Sequence, residues 1–255
     1  MDIEIFGENR LRHLDLSQEG RQDLATGPYV YYYYRAGADE TLMLSDLSSL
    51  TLFVLDTASG LSVSYPCSGP KELMCFNAVQ AEKTPLTVMA TKGSVFLVAG
   101  TIEAHDSLKA GVQILPEERL YKVRKPWGFE IWVNGSSHPG YCLKKIRINQ
   151  STRTSLQYHR FKQETNVLYE GEAILHYKKD AKILNEEVTA DNIDQKEIAA
   201  VTAIDVAPNI IHRIESKTDI LLYEVSTPHL DDVIRLQDDA KRMDGRINGE
   251  HVNNG

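Results

Sequence analysis

The chain has 255 residues, of which 42% are apolar and 25% charged, so it can bury a full core and is too apolar to be disordered. Its net charge of −8 argues against a nucleic-acid backbone as partner, which selects a basic face, and leaves a neutral or anionic small substrate open. Cys67, Cys75 and Cys142 form no CxxC, and no apolar run is long enough for a signal-peptide core or a membrane span, so a reduced, cytoplasmic location is expected.

In chain order, β-favouring runs predict strands at 29–35 (YVYYYYR), 50–55, 61–65, 86–90 and 94–99. Turn residues Ser59-Gly60 and Lys92-Gly93 separate some of them. Tyrosines 31–34 alternate faces in such a strand, which predicts two buried and two exposed rings. An exposed aromatic pair at a sheet edge would make the protein a homodimer. After the segment 124–128 (RKPWG), the same texture gives strands at 129–133, 141–148, 154–159, 164–169, 173–177, 200–206 and 220–225. The polar stretch 178–196 reads as a long excursion, 231–241 as a short helix capped by Asp231 or Asp232, and 243–255 as a flexible tail. Many short strands between turns predict an all-β sandwich or barrel. TKGSVFLVAGT at 91–101 can be laid on SKTDILLYEVS at 216–226, which points to two copies of one architecture.

The stretch SLQYHRFKQETNVLYEG at 155–171 carries the chemistry. Strand alternation puts Ser155, Gln157 and His159 on one face, and a turn through 160–163 brings Glu164 back towards His159. About fifty residues on, a proline-led turn from Pro208 supplies His212. A histidine in a β protein is usually a hydrogen-bonded structural residue, and it is the combined pattern that sets these two apart. Three or four nitrogen and oxygen ligands with positions left open suit a catalytic divalent first-row metal.

The two-part pattern Gln-x-His, four residues, Glu, six residues, Gly, then Pro-x-x-x-His-Arg resembles the signature of the cupin superfamily, with Gln157 in place of the usual first histidine. From Lys125 to about Arg242 the chain resembles the C-terminal domain of type II mannose-6-phosphate isomerases, often fused to a mannose-1-phosphate guanylyltransferase. Lys125-Pro-Trp-Gly128, Lys144-Lys-Ile-Arg-Ile148, Ser155-Leu-Gln-Tyr-His159, Glu164, His212-Arg213-Ile214 and Asp231-Asp-Val-Ile-Arg-Leu-Gln-Asp238 carry that resemblance.

The resemblance implies a cupin jelly-roll barrel at 119–242, and the repeat implies a second, degenerate one at 1–118, making the chain a bicupin. Under the repeat, Thr87 falls at the place of His212, so 1–118 is expected to hold no metal. The ligands carried over are Gln157, His159, Glu164 and His212, for a divalent ion that could be Zn, Fe, Mn, Ni or Co. The implied reaction is aldose–ketose isomerisation of a phosphorylated sugar, in nucleotide-sugar or surface-polysaccharide metabolism. Lys144 or Lys145 is the expected base or phosphate anchor, though alternation lets only one face inward. Arg213 and Lys125 are the further cations expected to grip phosphate. Arg160 and Phe161 stand where the family carries further histidines, Lys162 where it carries an arginine, and Thr165 where an aromatic or histidine is common. Those departures bear on substrate more than on scaffold. An Fe(II)-dependent oxygenase and a non-catalytic sugar-binding cupin are the competing expectations. Trp127 is expected to plug the barrel, His138 to serve a turn, and His176 to face solvent or a cross-strand partner.

Overall fold

Twenty-three strands, two single-turn 3-10 segments and no α-helix make up the described residues of the computed structural model, which are 2–250 apart from 7–8, 26, 58–59, 92 and 179–191. Most of the excursion expected at 178–196, together with Ser59, Lys92 and 251–255, lies outside the described residues. No helix is long and apolar enough to cross a membrane.

Strands β1 (Asp2–Phe6) and β2 (Asn9–His13) form an antiparallel pair. There follow β3 (Gly20–Asp23), β4 (Val30–Arg35), β5 (Glu40–Leu44), β6 (Ser49–Asp56), β7 (Leu61–Tyr65) and β8 (Ser68–Glu72). Next come β9 (Ala78–Glu82), β10 (Leu86–Ala90), β11 (Val95–Thr101) and β12 (Gly111–Leu115). From β3 to β12 they build two sheets, in the orders β12-β9-β6-β11-β4-β3 and β5-β10-β7-β8.

The chain goes on through β13 (Tyr121–Lys125), β14 (Gly128–Trp132), β15 (Cys142–Ile148), β16 (Leu156–Tyr158), β17 (Glu164–Glu170) and β18 (Glu172–Lys178). It ends with β19 (Asp194–Ala199), β20 (Thr202–Val206), β21 (Ile211–Ser216), β22 (Ile220–Ser226) and β23 (Ile234–Gln237). Two further sheets result, ordered β1-β2-β20-β17-β22-β15-β14-β13 and β19-β18-β21-β16-β23.

Within these sheets one pattern occurs twice. β9-β6-β11-β4 corresponds to β20-β17-β22-β15, and β8-β7-β10-β5 to β19-β18-β21-β16, each strand matching the one eleven places later. Two jelly rolls of eight strands follow from that order. The aligned segments of the internal repeat become β11 and β22, central strands buried at every residue. The correspondence also places Thr87, second in β10, at the position of His212, second in β21, and Ser49 at that of Glu164.

The two compact units are not consecutive stretches. One comprises 15–121 and 133–143; the other comprises the N-terminal residues to 14, 122–132, and 144 onwards. A boundary at 118/119 therefore misplaces the first strands. β2 pairs with β20, Leu11 is fully buried in the core with Ile204, and Arg12 forms a 2.7 Å ion pair with Asp205. The Asp205 carboxylate also accepts a 2.7 Å hydrogen bond from Thr165, tying β2 to β17 through β20.

Three other expectations are corrected. β4 lies between β11 and β3, so Tyr31, Tyr32 and Tyr33 are all buried and Tyr34 half-buried, stacked 5.2 Å from Phe96. No exposed aromatic pair is left there to make a dimer. Residues 231–241 form no helix: Ile234–Gln237 joins the β16 edge as β23, because the backbone groups of that edge need partners. Residues 243–250 are pinned, with Glu250 paired to Lys125 at 2.9 Å and to Arg242 at 3.1 Å.

Candidate metal centre and its cavity

The hairpin joining β17 to β18 turns at Gly171, where φ is +88° and a Cβ would lie 2.5 Å from the Asp219 carbonyl oxygen, so only glycine fits. β17 thus begins with Glu164 buried, while β16 and β21 deliver His159 and His212 from the facing sheet. Asp232 holds the intervening loop. Its carboxylate accepts the backbone N–H groups of Arg160 (3.1 Å), Phe161 (2.6 Å) and Lys162 (3.0 Å). This is the role it plays in place of a helix cap. Those N–H bonds outweigh burial and hold its carboxyl below the usual range.

The two imidazoles are oriented alike. His159 Nδ1 faces the Asp232 carbonyl oxygen, and His212 Nδ1 lies 3.1 Å from that of Ile210. A ring nitrogen against a carbonyl carries the proton, so each Nε2 keeps its lone pair. Both Nε2 atoms are buried and have no hydrogen-bond partner among the described residues. They lie 3.6 Å (His159) and 3.2 Å (His212) from the Glu164 carboxylate oxygens, and the ligand atoms of all three residues fall within 4.8 Å of one another. Glu164 accepts hydrogen bonds from Lys162 and Asn166, but the two imidazole lone pairs turned towards it have no donor and repel it unless a cation sits among them. The donor set therefore fits a divalent ion, with the carbonyls behind the rings fixing both tautomers so that each Nε2 faces it.

A row of alternating charges leads away from this cluster. The Lys162 ammonium contacts Glu164 and lies 2.9 Å from Glu224. Glu224 lies 3.2 Å from Lys144, Lys144 3.8 Å from Glu130, and Glu130 3.6 Å from Lys125. Every member is at least mostly buried. Burial alone would raise the Glu130 carboxyl, but Lys144, Lys125 and the Trp132 N–H prevail and bring it down to about 2. Lys162 is raised despite its burial because Glu164 and Glu224 flank it, and Glu164 is held well below the carboxylate range chiefly by Lys162. Glu130, Lys162 and Glu164 are thereby held in their charged forms at neutral pH.

The cluster and the row line a cavity of about 100 Å³. Gln157 lines it too, opposite His212 in the strand register, with its Oε1 accepting a 2.6 Å hydrogen bond from Ser155. Of the two adjacent lysines, Lys144 reaches the cavity and Lys145 does not, as alternation requires. Lys125 is at the wall. Arg213 is turned away: its guanidinium donates to the carbonyls of Thr154 (2.9 Å) and Gln237 (3.1 Å), because alternation that points His212 inward points its neighbour outward. Trp127 lines the cavity as well, and His176 pairs with Glu215 at 2.9 Å. His138 bonds Ser49 at 3.0 Å. Glu130, Lys162 and Glu224 carried no assigned role in the sequence reading. A carboxylate inside an apolar strand, as in GFEIW and ILLYEVS, was the signal available for two of them.

No protein-family model matches the sequence, and no curated protein matches it. Solved structures do. An IolB-like protein of Salmonella typhimurium superposes with a TM-score of 0.66 at 13% identity, covering 85% of this chain and 90% of that one. Oxalate decarboxylase of Lactobacillus farciminis gives 0.59 at 10% identity, over 92% and 86%. Streptomyces albus HEPD, with 2-hydroxyethylphosphonate and Fe(II) bound, gives 0.59 at 9%, over 89% and 73%. The fold is that of a bicupin. At these identities the likeness establishes the fold alone.

In the bicupin, burial pushes the His159 pKa down to about 3, aided by the Lys162 charge. An unfolded imidazole titrates near 6.5, so the unfolded chain takes up this proton first. The contribution to stability is complete above about pH 6.5 and is lost as pH falls from there towards 3. With chelator present, unfolding free energy should be about 2 kcal/mol smaller at pH 5 than at pH 7. Urea melts at the two pH values check this, and an equal drop in His159→Gln would assign it to other groups.

Proposed function

We propose that this bicupin is a metal-dependent aldose–ketose isomerase acting on a small phosphorylated sugar of the mannose 6-phosphate kind. The observation that carries the reading is the buried Lys–Glu row beginning at Glu164, which puts proton-carrying groups beside a cluster able to hold a divalent ion. Isomerisation needs a proton moved between adjacent carbons; dioxygen activation does not.

A divalent ion held by His159, Glu164 and His212, with Gln157 beside them, supplies Lewis acidity towards a carbonyl and its neighbouring hydroxyl. Glu224 is the base. Its carboxylate, paired with Lys162 and Lys144 before the transfer, takes the proton from C2, carries it as the neutral acid and returns it to C1. The Lys162 ammonium donates a hydrogen bond to the sugar oxygen on which charge grows. Trp127 and Ile146 shield the wall from water. Arg242, Gly245, Arg246 and Ile247, in the segment held by the ion pairs of Glu250, form part of the cavity wall.

One observation favours a second reading. Two histidines and one carboxylate, with Gln157 Oε1 occupied by Ser155, form the three-ligand set of non-haem Fe(II) oxygenases. The metal-loaded protein should be incubated with mannose 6-phosphate and related aldose phosphates in D2O. Deuterium at C1 or C2 with ketose formation is the expected result. Oxygen consumption without exchange would replace the isomerase by the oxygenase, and binding without either would leave a sugar-binding cupin.

A further inference from the structure

Six cationic side chains line the metal cavity, and five of them have carboxylate partners. Lys125, Lys144 and Lys162 belong to the alternating row. Arg242 pairs with Asp238 at 2.6 Å, and Arg246 with Asp231 at 2.7 Å. The sixth is Arg235. Its guanidinium donates through Nη1 to the carbonyl oxygens of Met243 and Gly245, the latter at 3.0 Å, and among the described residues it has no ion pair. Carbonyls satisfy N–H groups without neutralising a positive charge. The Arg235 Nε is buried with no hydrogen-bond partner among the described residues, although an orphaned buried donor costs about 1–3 kcal/mol.

The strand register says where this charge stands. Gln157 is directly opposite His212 on one side and Arg235 on the other, so the three share one face of the β21-β16-β23 sheet, and all three line the cavity. Arg235 is thus two strand spacings from His212, roughly 10 Å between backbones. A sugar with its reacting carbons at the metal cluster would lay its far end along this row.

We propose that Arg235 is the specificity-determining residue of the cavity and grips the terminal oxyanion of the substrate, a phosphate or a carboxylate, while the reacting end lies at His159, Glu164 and His212. This rests on the reading of the cavity as an active site. It assigns to Arg235 the anion-binding role that the sequence placed on Arg213 and Lys125. A guanidinium offers a planar fork that matches an oxyanion, and the unused Nε–H is one of its tines.

The test is calorimetric titration of inorganic phosphate, and separately of acetate, into metal-loaded and chelated protein, with metal content measured on the same samples. Wild type should bind one of the two anions in both states, and the tighter one names the oxyanion. Arg235→Gln should weaken that binding at least ~10-fold with metal content unchanged, and Arg235→Lys should recover part of it. Unchanged affinity in Arg235→Gln, or phosphate binding that disappears with the metal, would overturn the proposal. If Arg235→Gln does not fold, the arginine Nε–H resonance missing from Arg235→Lys decides: it should shift in wild type on adding phosphate, and a resonance that stays put overturns the assignment. An anion site confirmed in a protein that exchanges no deuterium would leave Arg235 in place and remove the isomerase reading alone.

Discussion

A His159→Ala, His212→Ala double variant should lose its metal, from near one ion per chain in protein purified without chelator to less than ~0.1. The reason is local. Each imidazole presents a buried lone pair, fixed by a carbonyl behind it, to the same carboxylate, and nothing else among the described residues satisfies either Nε2. Glu164 alone cannot replace that set, because Lys162 already claims one of its oxygens. Without metal the double variant should be no less stable than wild type by more than the packing lost, since two acceptors that repel Glu164 are gone. Elemental analysis and urea melts with chelator read the two effects separately. Metal retained in the variant would place the ion elsewhere; metal absent from both proteins, even after reloading, would remove the isomerase and oxygenase together.

What could be read in the sequence follows from what strand periodicity encodes. Alternation along 155–159 does place Ser155, Gln157 and His159 on one face, and the turn at 160–163 does return Glu164 to His159, within 3.6 Å. Local spacing suffices because all of it lies within one hairpin-sized stretch, and His212 arrives through the strand opposite Gln157. Long-range pairing is where the reading failed. Nothing local in Asn9–His13 says that it adds to β20 rather than to the residues following it. Nothing local in 231–241 says that an open edge at Leu156–Tyr158 will draw it into a strand, against a pattern that suits a short helix. The four tyrosines alternate as expected, but how many are buried depends on both faces of β4 being covered. The choice among cations failed for the same reason. Arg213 sits beside His212 in sequence and faces away in space, while Arg235, twenty-two residues on, shares its face with His212.

The two barrels differ at the positions of the metal cluster. The strand correspondence puts Ser49 and Thr87 where the second barrel has Glu164 and His212. Ser49 is buried, as Glu164 and His212 are, whereas Thr87 is only half-buried. The scaffold offers equivalent strand positions in both barrels, and the residue type decides whether a metal can use them.

Lys162→Met should be the most destabilising single change in the cavity, by about 3–5 kcal/mol, a fall in Tm of roughly 10 °C. The side chain is buried and shaped much like methionine, so little packing is lost. Removal of its charge leaves the Glu164 carboxylate facing two lone pairs with no cation, while Glu224 keeps Lys144 at 3.2 Å. Three further results would show that charge is the cause. Adding Glu164→Gln to Lys162→Met should recover much of the loss, a coupling of about 2 kcal/mol. Divalent metal should narrow the gap to wild type, because it gives Glu164 a new counter-charge. The gap should also shrink at acid pH, where an unpaired buried carboxylate takes up a proton and becomes neutral. Thermal melts of the four proteins, with and without metal, carry all three readings. Additive losses that metal and pH leave unchanged would reduce Lys162 to a packing residue and break the charge row at its first link to the metal cluster.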